Sequence, residues 1–186
     1  MTRIVAGSAG GRRLVVPPKG TRPTSERVRE ALFGALEAAF DFDGIQVLDL
    51  YAGSGALGFE ALSRGAGGVT FIESDRRAID VLRGNVGALG LAGARVVAGP
   101  VESVVAGEAD REYDIVLADP PYALTNAALG GVLGNLVRRG WLAPDGLVVL
   151  ERAGRDGEPD WPDGLRPTRS RRYGDTVLHW AQPSSE

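Results

Sequence analysis

A four-residue run, Asp119-Pro120-Pro121-Tyr122, follows directly on the apolar stretch Tyr113 to Ala118. Two prolines stiffen such a loop and turn a backbone carbonyl outward, with a carboxylate on one side and an aromatic ring on the other. That set suits an exocyclic amine on a nucleobase. Asp119 and the Pro120 carbonyl would accept its two N–H bonds, Pro121 and Tyr122 would frame the pocket, and Tyr122 would stack on the base. The lone pair of a guanine amine is delocalised into the ring, so two well-placed acceptors would aim it at an electrophile and stabilise the charge developing on nitrogen. Asp-Pro-Pro by itself is also an ordinary way to end a strand. What favours the chemical reading is its position, on the same edge as a second constellation.

That second constellation is Asp49-Leu50-Tyr51-Ala52-Gly53-Ser54-Gly55, at the junction of an apolar strand and a helix. Glycines there permit a tight turn and let a ligand approach the backbone beside helix N-terminal amides. Twenty residues after Gly53, at the end of the next apolar run, stand Glu73 and Ser74. A carboxylate at that offset can accept from two ribose hydroxyls, so the spacing fits a nucleoside lying across the carboxyl ends of the strands. Gly53 to Gly58 also satisfies the dinucleotide pattern G-x-G-x-x-G, which is weak alone in a chain with 27 glycines. Asp49 discriminates between the two, because a carboxylate at the mouth repels a pyrophosphate and attracts a cation such as an amino-acid ammonium.

The elements that must position these residues follow from hydrophobic periodicity. Ile45 to Leu50, Val69 to Glu73, Ala94 to Ala98, Tyr113 to Ala118 and Leu147 to Glu151 are short apolar runs separated by helical stretches, the pattern of an α/β fold with a mostly parallel sheet. Thr168 to Tyr173 and Thr176 to Ala181 flank Gly174-Asp175 and predict a closing antiparallel hairpin. Ahead of the sheet, Arg3 to Val16 reads as a short, solvent-facing basic hairpin. A helix capped by Thr24 or Ser25 follows, with Val28, Leu32, Ala35, Leu36 and Ala39 on its apolar face. Residues 1–40 are thus expected to form a basic N-terminal extension and residues 41–186 the ligand-binding domain.

Composition narrows the chemistry. With no cysteine and one histidine, His179, the chain excludes a disulfide scaffold, a zinc-thiolate site, a thiol nucleophile and a histidine cluster. No apolar run is long enough for a membrane span and no secretory signal is visible, so a cytoplasmic protein is expected. The net charge of −3 is unevenly spread. Residues 1–30 carry seven basic side chains against two acidic ones, residues 31–150 eight against fifteen. A basic arm on an acidic body points to a polyanion, with Arg12, Arg13, Lys19, Arg22, Arg27 and Arg29 as phosphate contacts. Arg27 and Arg29 could instead pair with Glu26 and Glu30 along the helix. The Arg169, Arg171, Arg172 group could simply be the charge that protects an edge strand.

In this order and spacing, Arg22-Pro23-Thr24 to Phe33, Asp49 to Gly58 with Phe59 to Ala66, Ile72-Glu73 and Asp119 to Tyr122 resemble the class I S-adenosylmethionine-dependent methyltransferases of the RsmD type. The resemblance covers nearly the whole chain. It implies a Rossmann-like seven-stranded sheet and S-adenosylmethionine as cofactor without a metal. It further implies methionine-end contacts from Asp49, Tyr51, Ala52, Gly53, Ser54 and Gly55, ribose contacts from Glu73 and Ser74, and methyl transfer at Asp119, Pro120, Pro121 and Tyr122. The implied substrate is the N2 amine of one guanine in 16S rRNA, within a 30S subunit or an assembly intermediate, and the implied state is a monomer. Where such proteins place Asp or Asn near the adenine, this chain has Gly99-Pro100-Val101, so groups at Pro100 and Val101, or Glu102, would take that part. Gly34 likewise replaces an asparagine. Three rivals stay open: an adenine-N6 or cytosine-N4 methyltransferase, an NAD-binding protein, and an assembly factor without catalysis.

Overall fold

Apolar side chains alternate above and below each central strand, and this alternation sets the layers. The computed structural model describes residues 2–18 and 24–185. Among these, Thr2–Arg3 (β1) and Arg13–Leu14 (β2) form a two-residue antiparallel pair, followed by α1, Glu26–Ala39. Then come β3 (Gln46–Leu50), α2 (Ala56–Ser63), β4 (Gly68–Glu73), α3 (Arg76–Leu89) and β5 (Ala94–Ala98). After α4 (Val101–Val105) the chain continues through β6 (Tyr113–Ala118), α5 (Asn126–Arg138), β7 (Leu142–Ala153), β8 (Leu165–Tyr173) and β9 (Thr176–Pro183). Val47, Phe71, Leu117 and Val149 pack under α1, α2 and α3, whereas Leu48, Ile72, Val116 and Leu150 pack against α4 and α5. A sheet buried on both faces explains why its strands read as continuous apolar runs.

The seven strands are ordered β5-β4-β3-β6-β7-β9-β8, with β9 antiparallel to both neighbours and β3 to β7 parallel. From β3 the chain first winds outward through β4 and β5, then returns to lay β6 on the other side of β3. This reversal opens a crevice at the carboxyl ends of β3 and β6, the place where open α/β sheets bind ligands. Both constellations found in the sequence sit there.

The N-terminal hairpin departs from expectation. Only one face meets solvent, with Arg3, Arg12 and Arg13 exposed, while Ile4, Ala9 and Leu14 are buried in the same core as α1 and α2. Its backbone is held as well: Val5 and Ala6 N–H donate to Glu60, Ala9 N–H to Ser63 Oγ, and Val15 N–H to Asn85 Oδ1. Asn85 also donates to the Ser54 carbonyl at 2.9 Å, tying the hairpin to the glycine loop.

Candidate active site

The loop after β3 is shaped by close approach. Gly55 adopts φ +86°, and a Cβ there would lie 2.5 Å from Phe59 and 2.6 Å from Leu82, so only glycine fits. Gly58 lets α2 settle on β4, since a Cβ would come within 2.3 Å of the Phe71 ring. Gly55 caps α2 without a side chain to offer. Asp49 does the capping instead: its Oδ2 accepts from the Gly58 N–H at 3.0 Å, in the helix's first turn. Burial holds the Asp49 carboxyl well above the usual carboxylate range, the Gly58 bond opposes this, and the charge of Glu73 adds to it. Glu73 itself accepts from Gly53, Ser74 and Asp75 N–H at 2.8 to 2.9 Å, which fixes the loop around it. Tyr51 has φ +58°, the one positive value on a non-glycine among the described residues, and its hydroxyl donates to Glu102 at 3.2 Å. Such strain persists only when the surroundings impose it, and it concentrates at ligand sites. The Tyr51–Glu102 bridge spans β3 and α4. The Pro100 carbonyl is committed to α4, accepting from Ser103 and Val104, so it is not open to an adenine.

The loop after β6 carries the second half. Ala118 pairs with Leu150 across β6 and β7, so Asp119, where β6 ends, lies beside Glu151, which stays in β7 and pairs with Leu178 of β9. Thr24, just before α1, reaches both: its Oγ1 lies 2.5 Å from Glu151 Oε2 and 3.3 Å from Asp119 Oδ2. A hydroxyl has one proton and so can donate to only one of the two. Burial raises the Asp119 carboxyl well above its ordinary value, the Glu151 charge raises it further, and the Thr24 bond opposes both. Pro120 and Tyr122 line a small cleft with Glu151 and Arg152. Beside it, a groove of about 220 Å³ is bounded by Ser25, Val28, Tyr122, Tyr173 and Asp175. Tyr122 is 52% exposed, an unusual position for a large ring and a fitting one for a stacking platform. The Arg155 guanidinium lies 5.6 Å from its centroid. Arg152, buried in β7, clamps the loop by donating to the Leu124 carbonyl at 2.8 Å and Asn126 Oδ1 at 3.1 Å.

The structure thus brings Asp49, Glu73 and Asp119 to one crevice and adds Thr24, Glu151 and Arg152, which the sequence reading did not single out for the site. Glu151 was within reach of the same rule that found the other carboxylates, since it ends the strand run Leu147 to Glu151. The basic set divides. Arg13 and Arg27 are exposed, and Arg12 donates to the Ala88 carbonyl at 2.8 Å and holds the hairpin to α3. Arg29 does not face solvent: it is fully buried and paired with Glu60 at 3.1 Å, so it cannot meet a phosphate. Lys19 and Arg22 lie outside the described residues. His179 is buried in β9 against Ser170, away from the crevice.

Comparison with known proteins matches residues 2–182 to the family described as Conserved hypothetical protein 95. The ribosomal RNA small subunit methyltransferase D of Escherichia coli K12 is 42% identical over 185 residues, which cover 99% of this chain and 91% of that protein. The chain belongs to this RsmD family of methyltransferases. YlbH of Bacillus subtilis is 35% identical over 176 residues, with 92% and 94% of the two chains covered. Among solved structures, yhhF of Escherichia coli superposes with a TM-score of 0.87 at 35% identity and covers 100% of this chain and 99% of its own. The sheet is therefore the class I methyltransferase sheet, with the small antiparallel hairpin and α1 ahead of it.

The crevice fits the family's cationic methyl donor on electrostatic grounds. Burial raises the Asp49 and Asp119 carboxyls most, and the charges of Glu73 on Asp49 and of Glu151 and Asp49 on Asp119 raise them further, so acidic groups crowd one another in the crevice. A ligand carrying positive charge relieves that repulsion. Among the described residues no group of three His, Asp or Glu is placed to hold a metal ion, and no helix is long and apolar enough to cross a membrane.

Proposed function

We propose that this protein transfers a methyl group from S-adenosylmethionine to the exocyclic N2 amine of a guanine in small-subunit (16S) ribosomal RNA, acting in the cytoplasm on a 30S particle or its precursor. The observation that carries this reading is the Asp119 carboxylate, half-buried beside Pro120, Pro121 and the exposed Tyr122, across the switch point from the acidic glycine loop. The name of the Escherichia coli relative supports the choice of RNA.

When bound, S-adenosylmethionine supplies a methyl group already activated by its sulfonium. Asp49 and the Gly53 to Gly55 loop would hold its amino-acid end, and Glu73 its ribose. Tyr51, Ala52, Ser54 and Ser74 would complete that wall, and Val101 with Glu102 would border the adenine. The enzyme's own work is then alignment. Asp119 and the Pro120 carbonyl accept from the guanine amine and aim its lone pair, while Tyr122 stacks on the base. Extruding the guanine from folded RNA requires a few kcal/mol, which stacking offsets. The proton released from the methylated amine passes to the Asp119 carboxylate, whose raised affinity for protons suits it to receive one. Arg13 and Arg27, with Lys19 and Arg22, would meet the RNA backbone.

Incubation of the protein with labelled cofactor and under-methylated small subunits, followed by mass analysis of nucleosides, tests the reading. N2-methylguanosine is the expected product. N6-methyladenosine or N4-methylcytidine would replace it with the adenine or cytosine alternative.

A further inference from the structure

The outermost strand of the sheet, β8, carries Arg166, Arg169, Arg171 and Arg172 and no acidic residue, and residues 166–172 are all exposed. Its partner β9 has no acidic residue either. Elsewhere among the described residues, some exposed arginines are neutralised in ion pairs, Arg3 with Glu26, Arg95 and Arg111 with Asp110, and Arg139 with Glu108. Others, such as Arg13, Arg27, Arg76, Arg77 and Arg83, are not, so what sets β8 apart is four arginines on one edge strand. Among the described residues, none of the four β8 arginines forms an ion pair. Protection of the edge does not explain them, because Pro167 and the irregular pairing between Pro167 and Arg169 already interrupt it.

Two of the four are also held in place. Arg169 and Arg171 pair with Trp180 and Leu178 of β9, so they share the sheet face on which α1 packs. The Arg169 guanidinium lies 5.0 Å from the Trp180 ring centroid and that of Arg171 5.6 Å from Tyr173. Stacking on a ring fixes a guanidinium plane while leaving its N–H edge for a partner. Two residues apart on a strand, the pair is separated by about 6.6 Å, comparable to successive phosphates of a single nucleic-acid strand. The ladder runs toward Tyr173, which borders the groove that Tyr122 also lines.

We infer that Arg169 and Arg171 form a phosphate track for the RNA strand that flanks the target nucleotide and leads it into the groove between Tyr122 and Tyr173. This rests on the rRNA reading above and assigns it a docking surface opposite in sequence to the N-terminal arm. Fixed guanidinium forks on a strand pair that carries no acidic residue of its own favour phosphate over protein partners.

The test is binding and methylation by the full chain carrying Arg169→Ala with Arg171→Ala, probed with deproteinised small-subunit rRNA and with under-methylated small subunits. We expect RNA affinity at physiological salt to fall at least about fivefold, and the log-log salt dependence to become shallower by about 1.4 to 1.8, the release of two phosphate contacts. Turnover at saturating RNA and binding of S-adenosylhomocysteine stay at wild-type levels, which separates lost docking from lost folding. The Arg169→Lys, Arg171→Lys pair keeps the charges and recovers most of the affinity. Unchanged affinity and salt slope in the alanine pair overturn the track, as does a lysine pair no better than alanine. Loss confined to assembled subunits, with naked rRNA bound normally, would assign these arginines to a ribosomal protein and also overturn it. If the wild-type protein neither binds nor methylates the RNA, the functional reading fails first, a result distinct from a variant that merely matches the wild type.

Discussion

Two carboxylates each bond a residue at the start of α1, the fully buried Glu60 to Arg29 and the half-buried Asp119 to Thr24, and their surroundings could hardly differ more. Glu60 accepts four hydrogen bonds, two on each oxygen, from Val5 and Ala6 N–H and from Arg29 and Arg64 Nε. Arg29 is bonded in turn to Thr2 Oγ1 and the Arg3 carbonyl. Asp119 has Thr24 as its side-chain donor, at 3.3 Å, and that hydroxyl sits closer to Glu151. A buried charge with every lone pair satisfied builds structure. A half-buried charge left short of donors is poised for a ligand that brings them.

Removing the charge should therefore have opposite consequences at the two places. Glu60→Gln leaves the buried Arg29 guanidinium without its carboxylate and should lower stability by about 3 to 5 kcal/mol, read from urea denaturation, and Arg29→Met, in which Arg64 still pairs with Glu60, should cost less. The hairpin, which hangs on the same carboxylate, should become accessible to protease in these variants. An Arg29→Met protein as stable as the wild type would show that the pair contributes nothing net and would erase the contrast.

Asp119→Asn should leave stability at neutral pH unchanged or improved, because the substitution ends the repulsion with Glu151. Its effect falls on chemistry: methyl transfer should drop about 10² to 10³-fold, the scale for losing one charged acceptor aimed at a transition state. Calorimetry with S-adenosylhomocysteine should still register binding. Undiminished turnover in this variant would remove Asp119 from the reaction. Tyr122→Ala tests the other side of the same pocket and should weaken RNA binding by about 1 to 3 kcal/mol, the stacking of one base. A fall in turnover at saturating RNA with affinity intact would show that the ring orients the base without binding it.

The same contrast explains what could be read from sequence. The five parallel strands and the loops at Asp49 and Asp119 were legible because a strand buried on both faces, followed by glycines or prolines, leaves a local signature. Arg29 was misplaced on the exposed face of α1. Its spacing with Phe33 and Leu36, four and seven residues on, marks it as part of the buried stripe, and only the prior that arginines stay outside hid this. Thr24 was read as a possible helix cap. Ser25 takes that role by accepting from Val28 N–H, which frees Thr24 to reach partners 95 and 127 positions away. Nothing local encodes such a contact. The hairpin was expected in solvent because its glycines and arginines dominate its composition, yet Ile4 and Leu14 decide where it packs.

The smallest effect concerns the Thr24 hydroxyl itself. The folded-state pKa of Asp119 is raised above the ordinary carboxylate value of 3.8, so its contribution to stability is fully present below that value and is lost as pH rises through the raised one. Thr24 opposes this shift by bonding the ionised form. Thr24→Val should remove that opposition, move the loss to higher pH and change stability by about 1 kcal/mol at most, the net worth of one hydrogen bond. Denaturation curves collected from acid to neutral pH should show the wild type declining, Thr24→Val declining at higher pH, and Asp119→Asn lacking this component. If all three profiles coincide, Asp119 ionises as an ordinary carboxylate and its difference from Glu60 lies in position alone.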